Sequence, residues 1–541
     1  MALPVAAGLA GAVLPAFGFF PALGGTTVSL APWRELLAWP GLGAAVRLSL
    51  VTGVGATVLS LAITLLIVAA WQGTRSFRAI TSALAPLLSL PHAAAAFGLA
   101  FLIAPSGWVA RALSPWATGW DRPPDLLIVH DTAGLALIAG LVMKEVPFLL
   151  LMTLAALGQT DSTRRMLVAR SLGYGRVIGW AKAVLPAVYG QIRLPVFAVL
   201  AYSMSVVDVA LILGPTRPPT LAVQVLDWMT APDLSLRFTA SAGAVLQLLL
   251  VLGALGAWVL AERLIATRGI AWAAGGGRGQ QLDTPLRLCV SLPIALIGLG
   301  VGIGLAGLAL WSIAGLWRFP DLMPQSYGLR VWADQSTQLW RLGITTMLLA
   351  GLSALIALAL SVAALQAGTS RLLGVIYVPL LVPQIAFLPG LSALGLWLGL
   401  DGTFGAVLAV HLVFVLPYLA LSLSDPWHAW DHRAGLVAAT LGAGPWRVLL
   451  AVRLPMLLRA LCIAFAVGFA TSVAQYLPSL LIGAGRIGTV TTEAVALAAS
   501  GNRRLIGVWA LVQMVLPMAV FALALALPAL VARRRQGMSV T

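Results

Sequence analysis

Long apolar runs alternate with short clusters of charge, proline and glycine along the whole chain. Twelve runs stand out: about 4–24, 48–70, 79–104, 132–157, 184–213, 238–261, 288–317, 342–365, 372–400, 404–424, 456–482 and 505–531. A helix needs roughly 20 apolar residues to cross a bilayer core, and each run supplies them. The pattern predicts an all-α polytopic membrane protein with about 12 transmembrane helices. No Lys or Arg precedes Arg34, so the chain lacks the basic start of a cleaved signal peptide. Residues 4–24 therefore read as a retained first span.

Composition agrees with the pattern. Of 541 residues, 60% are hydrophobic and 9% charged, with mean hydropathy +0.98. So few charges cannot solvate the surface of a soluble protein this long, where about a quarter of residues are charged. A soluble enzyme, a disordered chain and a collagen-like fibre are excluded. The two cysteines, Cys289 and Cys462, sit in apolar runs and read as small buried hydrophobes. Trp33, Trp116, Trp120, Trp332 and Trp340 fall between runs and read as interfacial anchors.

The net charge of +16 admits two meanings, a nucleic-acid footprint or a topology signal. The position of each charge decides. With the N-terminus in the cytoplasm, the inside segments are 71–78, 158–183, 262–287, 366–371, 425–455 and 532–541. They carry 18 Lys/Arg, among them Arg371, Arg534 and Arg535, against 5 acids. The outside segments carry 12 basic and 10 acidic residues. The basic excess lies on one side, as cytoplasmic loops require, so both termini are expected inside and no nucleic-acid partner is implied.

The chain also repeats itself. RSLGYGRVIGWAKAVLP (170–186) parallels ATLGAGPWRVLLAVRLP (439–455), with Gly173 and Gly442 each followed thirteen residues later by Pro186 and Pro455. The same offset of 269 pairs Gly214 with Gly483 and Thr220 with Thr489. Pro147 and Pro417 are 270 apart, Pro91 and Pro383 292, and Arg47 and Arg341 294. Six spans per repeat keep both copies in one orientation, giving a parallel repeat about an axis along the membrane normal. The expected halves are 1–272 and 286–541, with repeated cores at about 43–262 and 337–531. The Gly-rich stretch AAGGGRGQQLDTP (273–285) reads as a flexible linker. A translocation path is expected between the halves.

The duplicated loop carries the candidate chemistry. In MLVARSLG (166–173), Leu167 and Arg170 are three residues apart and share a helix face. Gly173 can end that helix with a left-handed cap, and Pro186 then enters the next span. Such a helix can dock in a partner's groove by apolar anchors with a basic rim. The plainer alternative is an arginine-rich turn kept for topology.

These segments resemble the Glu-Ala-Ala loop of ABC-importer permeases. Ala169, Gly173 and Pro186 match in the first copy; Ala438, Gly442, Leu454 and Pro455 match in the second, with Val452 conservative. The glutamate position is Leu167 in one copy and Leu436 in the other. KEVPFLLLMTLAAL (144–157) and VLPYLALSL (415–423) resemble the span before that loop. The chain is similar to the fused twin permeases of ferric-iron and thiamine importers. The resemblance implies a MetI-like type I ABC importer fold in the cell inner membrane. It implies docking of an ABC ATPase, in two copies, on Leu167, Ala169, Arg170, Gly173, Pro186, Leu436, Ala438, Gly442, Leu454 and Pro455. It also implies a periplasmic or extracytoplasmic substrate-binding protein.

Nucleotide chemistry is not expected in this chain. A phosphate-binding loop needs GxxxxGK[ST], and the two lysines, Lys144 and Lys182, precede Glu145 and Ala183. ATP and Mg are expected on the partner, with no cofactor and no metal site here.

Polar residues within spans mark a candidate path. Asp208 follows Tyr202 in the fifth span, with Gln475 and Tyr476 near the equivalent place in the second half. A lone carboxylate there suggests a cation or amine. His92 and Gln384 follow the repeat-matched Pro91 and Pro383. Lys144 and Glu145 are adjacent on a helix and are expected to find different partners. A six-plus-six secondary transporter is the alternative reading, and it would need coupling acids in both halves. Glu145 and Asp208 have no second-half match.

Overall fold

The computed structural model describes residues 2–82, 84, 87, 90–368 and 374–533. Arg371, Arg534 and Arg535, and parts of the runs 79–104 and 372–400, lie outside the described residues. The chain is all-α: among the described residues, β pairing is confined to isolated bridges at Phe20–Gly25 and Ala314–Tyr327. Among the described residues nine helices are long and apolar enough to cross a bilayer, or eleven when two bent pairs each count as one crossing.

The principal helices fall into two series. The first is α1 (Ala2–Ala16), α2 (Leu42–Trp71), α3 (His92–Ile103), α4 (Leu135–Gln159), α5 (Ser162–Ser171), α6 (Arg176–Ala183), α7 (Leu185–Ser205), α8 (Asp208–Leu213), α9 (Leu221–Thr230) and α10 (Leu236–Ala274). The second is α11 (Asp283–Ile313), α12 (Arg330–Gln366), α13 (Gln384–Trp397), α14 (Phe404–His428), α15 (His432–Thr440), α16 (Pro445–Val448), α17 (Leu458–Val473), α18 (Leu477–Gly483), α19 (Val490–Ala496) and α20 (Arg503–Arg533). Each helix of the first series has its counterpart ten places later. The correspondence extends to single bonds. Leu221 N–H, at the start of α9, donates to Ser49 Oγ on α2 at 3.0 Å, and Val490 N–H of α19 donates to Thr346 Oγ1 on α12 at 2.9 Å.

Several expected spans differ from the observed helices. The run 4–24 forms a helix of only 15 residues. At 1.5 Å per residue that is about 22 Å, short of a bilayer core of about 30 Å. The chain then turns through Gly18 and Gly24, both in the left-handed region, with Pro21 between them. The run 184–213 breaks after Ser205, and 456–482 breaks after Val473. Pro445–Met456 and Leu458–Val473 are bent by 77°, and Gly374–Leu381 and Gln384–Trp397 by 102°. Pro383 and Pro455 sit at these bends, where a missing N–H interrupts the ladder. The run 238–261 continues to Ala274 because no proline intervenes before the glycines at 275–277. Cys289 is exposed on α11 instead of buried.

The two series cross over. α1 packs on α13, and α11 packs on α3. Both contacts use backbone-to-backbone glycine approaches. A Cβ on Gly304 of α11 would lie 2.8 Å from the Gly98 carbonyl carbon on α3. A Cβ on Gly11 of α1 would lie 2.7 Å from the Gly390 oxygen on α13. Gly98 and Gly390 are 292 apart, the offset of Pro91 and Pro383. Without a hydrophobic drive between helices in lipid, such close packing is a main source of association. The junction between the series also differs from expectation. The glycine-rich linker, read as free, is hydrogen-bonded along the loop between α5 and α7.

Candidate functional site

The two repeated loops are built alike and each carries several arginines. In the first, α5 ends at Gly173, whose φ is +80°. Gly173 N–H donates to Arg170 O at 2.9 Å and Tyr174 N–H to Ala169 O at 3.1 Å. In the second, α15 ends at Gly442, φ +86°, with Gly442 N–H on Ala439 O at 2.9 Å and Ala443 N–H on Ala438 O at 3.0 Å. The left-handed residue lets the chain reverse while its amides occupy carbonyls that the helix end leaves open. Glycine reaches that conformation without a Cβ clash.

The turn fixes which side chains point outward. Leu167 is 63% exposed and Leu436 66%, with Val168, Leu172, Val437 and Leu441 exposed beside them. Arg170 and Pro186 are exposed, Ala169 is buried, and Ala438, Leu454 and Pro455 are half-buried. Ala169 is inside because α6 lies against it: a Cβ on Gly179 would touch the Ala169 methyl at 3.3 Å. Six exposed aliphatic side chains in two matched patches are surface that a partner could cover. Burying one leucine is worth about 1.5–3 kcal/mol in water.

Each loop is anchored on a glutamine that sequence reading missed. Trp180 Nε1–H donates to Gln72 Oε1 at 3.1 Å, and Gln72 Nε2 donates to Ser162 Oγ at 3.2 Å. Arg176 donates to the Gln72 carbonyl. In the second loop Arg453 donates to Gln366 Oε1 at 3.0 Å and to Trp427 O at 2.9 Å. Its guanidinium also lies 3.9 Å from the Trp427 ring centroid. Gln72 and Gln366 are 294 apart, the offset of Arg47 and Arg341, so the signal was present in the repeat. Burial, then the neighbouring Arg170 and Arg287, lowers the Arg176 guanidinium from its ordinary value, and Asp283 opposes that shift.

A second constellation sits among the spans. His92 opens α3 directly after Pro91, and its Nε2 lies 3.4 Å from Glu145 Oε1. Its ring stands 4.9 Å from that of Tyr202 on α7. Asp208 is the first residue of α8, beyond the break, and not within the fifth helix. It lies within electrostatic reach of His92, Tyr202 and Tyr476. Tyr418 on α14, unflagged by the sequence, comes within reach of Glu145 and Tyr202. Gln475 and Tyr476 occupy the break between α17 and α18, and the buried Gln475 Oε1 has no hydrogen-bond partner. Gln384 opens α13 after Pro383, half-buried, with no side-chain partner among the described residues. Thus His92, Tyr202, Asp208 and Tyr476 are brought together, joined by Glu145 and Tyr418; among the described residues no side-chain hydrogen bond ties Gln384 or Gln475 to them. Lys144 points elsewhere, to the carbonyls of Leu87 and Leu90. The cluster is therefore two carboxylates with a histidine and tyrosines, which suits a cation better than an anion. Among the described residues no three His, Cys, Asp or Glu side chains group as a metal site.

Across 524 residues, covering 94% of this chain and 93% of the relative, the sequence is 34% identical to the inner membrane ABC transporter permease protein YnjC of Escherichia coli (strain K12). Over 106 residues, 20% of this chain and 41% of the relative, it is 26% identical to the spermidine/putrescine transport system permease protein PotC of Haemophilus influenzae. No family model matches the chain.

Proposed function

The chain belongs to the inner-membrane permeases of ABC transporters, and on that premise we propose that it couples two ATPase subunits to one solute path. The loops 162–186 and 431–455 face the cytoplasm, with both chain termini on that side. Each receives one ATPase subunit, and ATP is hydrolysed there and not in this chain. Closure of the ATPases draws the loops together and rocks the two helix series, opening the path alternately to either side. A substrate-binding protein outside delivers the solute, so the complete machine is an importer.

The observation that carries this reading is the matched pair of glycine-capped helices, each presenting exposed aliphatic side chains at the same three positions. Leucines replace the family's glutamates at 167 and 436, so docking here rests on apolar anchors with Arg170 at the first rim. The central cluster supports a small cation or amine as the solute. The partial match to a permease named for spermidine and putrescine, themselves polyamines, points the same way.

Pull-down of the cognate ATPase tests the docking role. Replacing Gly173 and Gly442 with valine forces a Cβ into the left-handed region and should abolish capture and coupled ATPase activity. Unchanged association and coupling would refute it.

A further inference from the structure

The linker between the two series is stitched to the first docking loop and, among the described residues, to nothing equivalent in the second. Lys182 Nζ donates to Gly275 O at 2.6 Å and to Gly277 O at 3.3 Å. Gly175 N–H donates to Arg278 O at 2.8 Å, and Gln280 Nε2 to Gly173 O at 2.7 Å. A Cβ on Gly175 would lie 2.8 Å from Gln280 Cα, so this backbone pairing requires glycine there. The last link is a pair of charge-assisted hydrogen bonds. Asp283 Oδ2 accepts from Arg176 N–H at 2.6 Å and Oδ1 from Val177 N–H at 3.0 Å.

Asp283 therefore serves two helices at once. It stands in the first turn of α11 and caps the first two amides of α6. A carboxylate at a helix start satisfies open amides and complements the helix dipole. One turn further along α11, the Arg287 guanidinium sits 5.1 Å from the Trp71 ring at the end of α2. The leading turns of α11 thus grip the base of the first docking loop. Among the described residues the second loop, held at its far end by Arg453, has no such grip from a leading span. α16 opens on Pro445, which has no N–H, and among the described residues no side chain accepts from the Trp446 or Arg447 amides, the places where Asp283 serves α6. The counterpart of α11 is α1, and among the described residues it makes no hydrogen bond to residues 441–453.

We infer that Asp283 is a positioning residue, tying the first docking loop to the leading span of the second series and leaving the second loop compliant. The two ATPase subunits then meet unlike surfaces: one preset, the other able to adjust. Leu167 and Leu172 on α5 and its cap remain 63% and 58% exposed, so the tie stiffens the site without covering it.

This inference rests on the docking reading, and one experiment separates the two. Hydrogen exchange is measured on the full chain in nanodiscs, without ATPase, for wild type, Asp283→Ala and Asp283→Asn. Loss of a charge-assisted cap in Asp283→Ala should speed exchange at Gly175–Val177 by about tenfold. Residues 444–448 should not change, and Asp283→Asn, also a good cap, should restore protection. With the cognate ATPase added, Asp283→Ala should still bind but stimulate ATP hydrolysis less than wild type. Unchanged exchange would overturn the tie. Faster exchange with undiminished stimulation would overturn its positioning role. Wild type that fails to bind the ATPase would overturn the docking reading and, with it, the role assigned to the tie.

Discussion

Lys144 Nζ lies 2.9 Å from the carbonyl oxygen of Leu87, the group that Pro91 deprives of its helical partner. The same ammonium donates to Leu90 O at 2.6 Å. A lysine inside the spans thus repairs the break that delivers His92 to the central cluster. Its neighbour Glu145, one residue round the helix, faces that cluster instead. Sequence adjacency on a helix separates two charges into two environments.

Replacing Lys144 with methionine keeps the stem and removes the donors. Two carbonyls would then stand unpaired, at about 1–3 kcal/mol each. The thermal midpoint in detergent should fall, and Lys144→Arg should recover part of it. A midpoint unchanged in Lys144→Met would show that the repair is dispensable.

Gln72 and Gln366 hold their loops through one side-chain amide each. Gln366→Ala removes the Oε1 acceptor of Arg453, a bond to a charged group worth about 1.5–3 kcal/mol. Trypsin should then cut faster after Arg447 and Arg453, with cleavage after Arg176 and Lys182 unaltered. Gln72→Ala should give the reverse pattern. Equal sensitivity of both loops in either variant would contradict local anchoring.

Gly304 allows α11 to touch the α3 backbone. Gly304→Leu overfills that crossing at a cost of about 1–3 kcal/mol. Gly302→Leu, where nothing lies within 4 Å, is the matched control. Size-exclusion profiles and thermal midpoints of the two should differ, with only Gly304→Leu impaired. Equal behaviour would remove the crossing from the account of stability.

The spans were legible because lipid demands uninterrupted apolar runs, and the repeat because its glycines and prolines serve conformations that few other residues reach. Gly173 and Gly442 were found that way. What escaped depends on contacts between distant segments. Asp208 sits in an apolar run, so nothing local marked the break before it. Glu145 and Tyr418 enter the central cluster only because α4 and α14 are packed to aim them there. The linker's glycines read as slack, yet Gly279 takes a left-handed turn against Ile178 where a Cβ would clash, and Gly175 across from it admits the close backbone pairing. Gln72 and Gln366 carried a repeat signal, but a glutamine at a span's end resembles ordinary interfacial polarity.

The crossing of α1 and α11 has a bearing on how the protein is made. A ribosome delivers α3 long before α11, so the Gly98 surface waits in the membrane for a partner not yet synthesised. α1 waits longer still for α13. Newly inserted chains thus pass through a stage in which each early helix carries an unfilled groove, open to mispairing with another nascent copy. α11 fills the groove on α3 first and α13 fills that on α1 last, so a chain truncated before α13 would leave α1 unmatched and mark the product as unfinished.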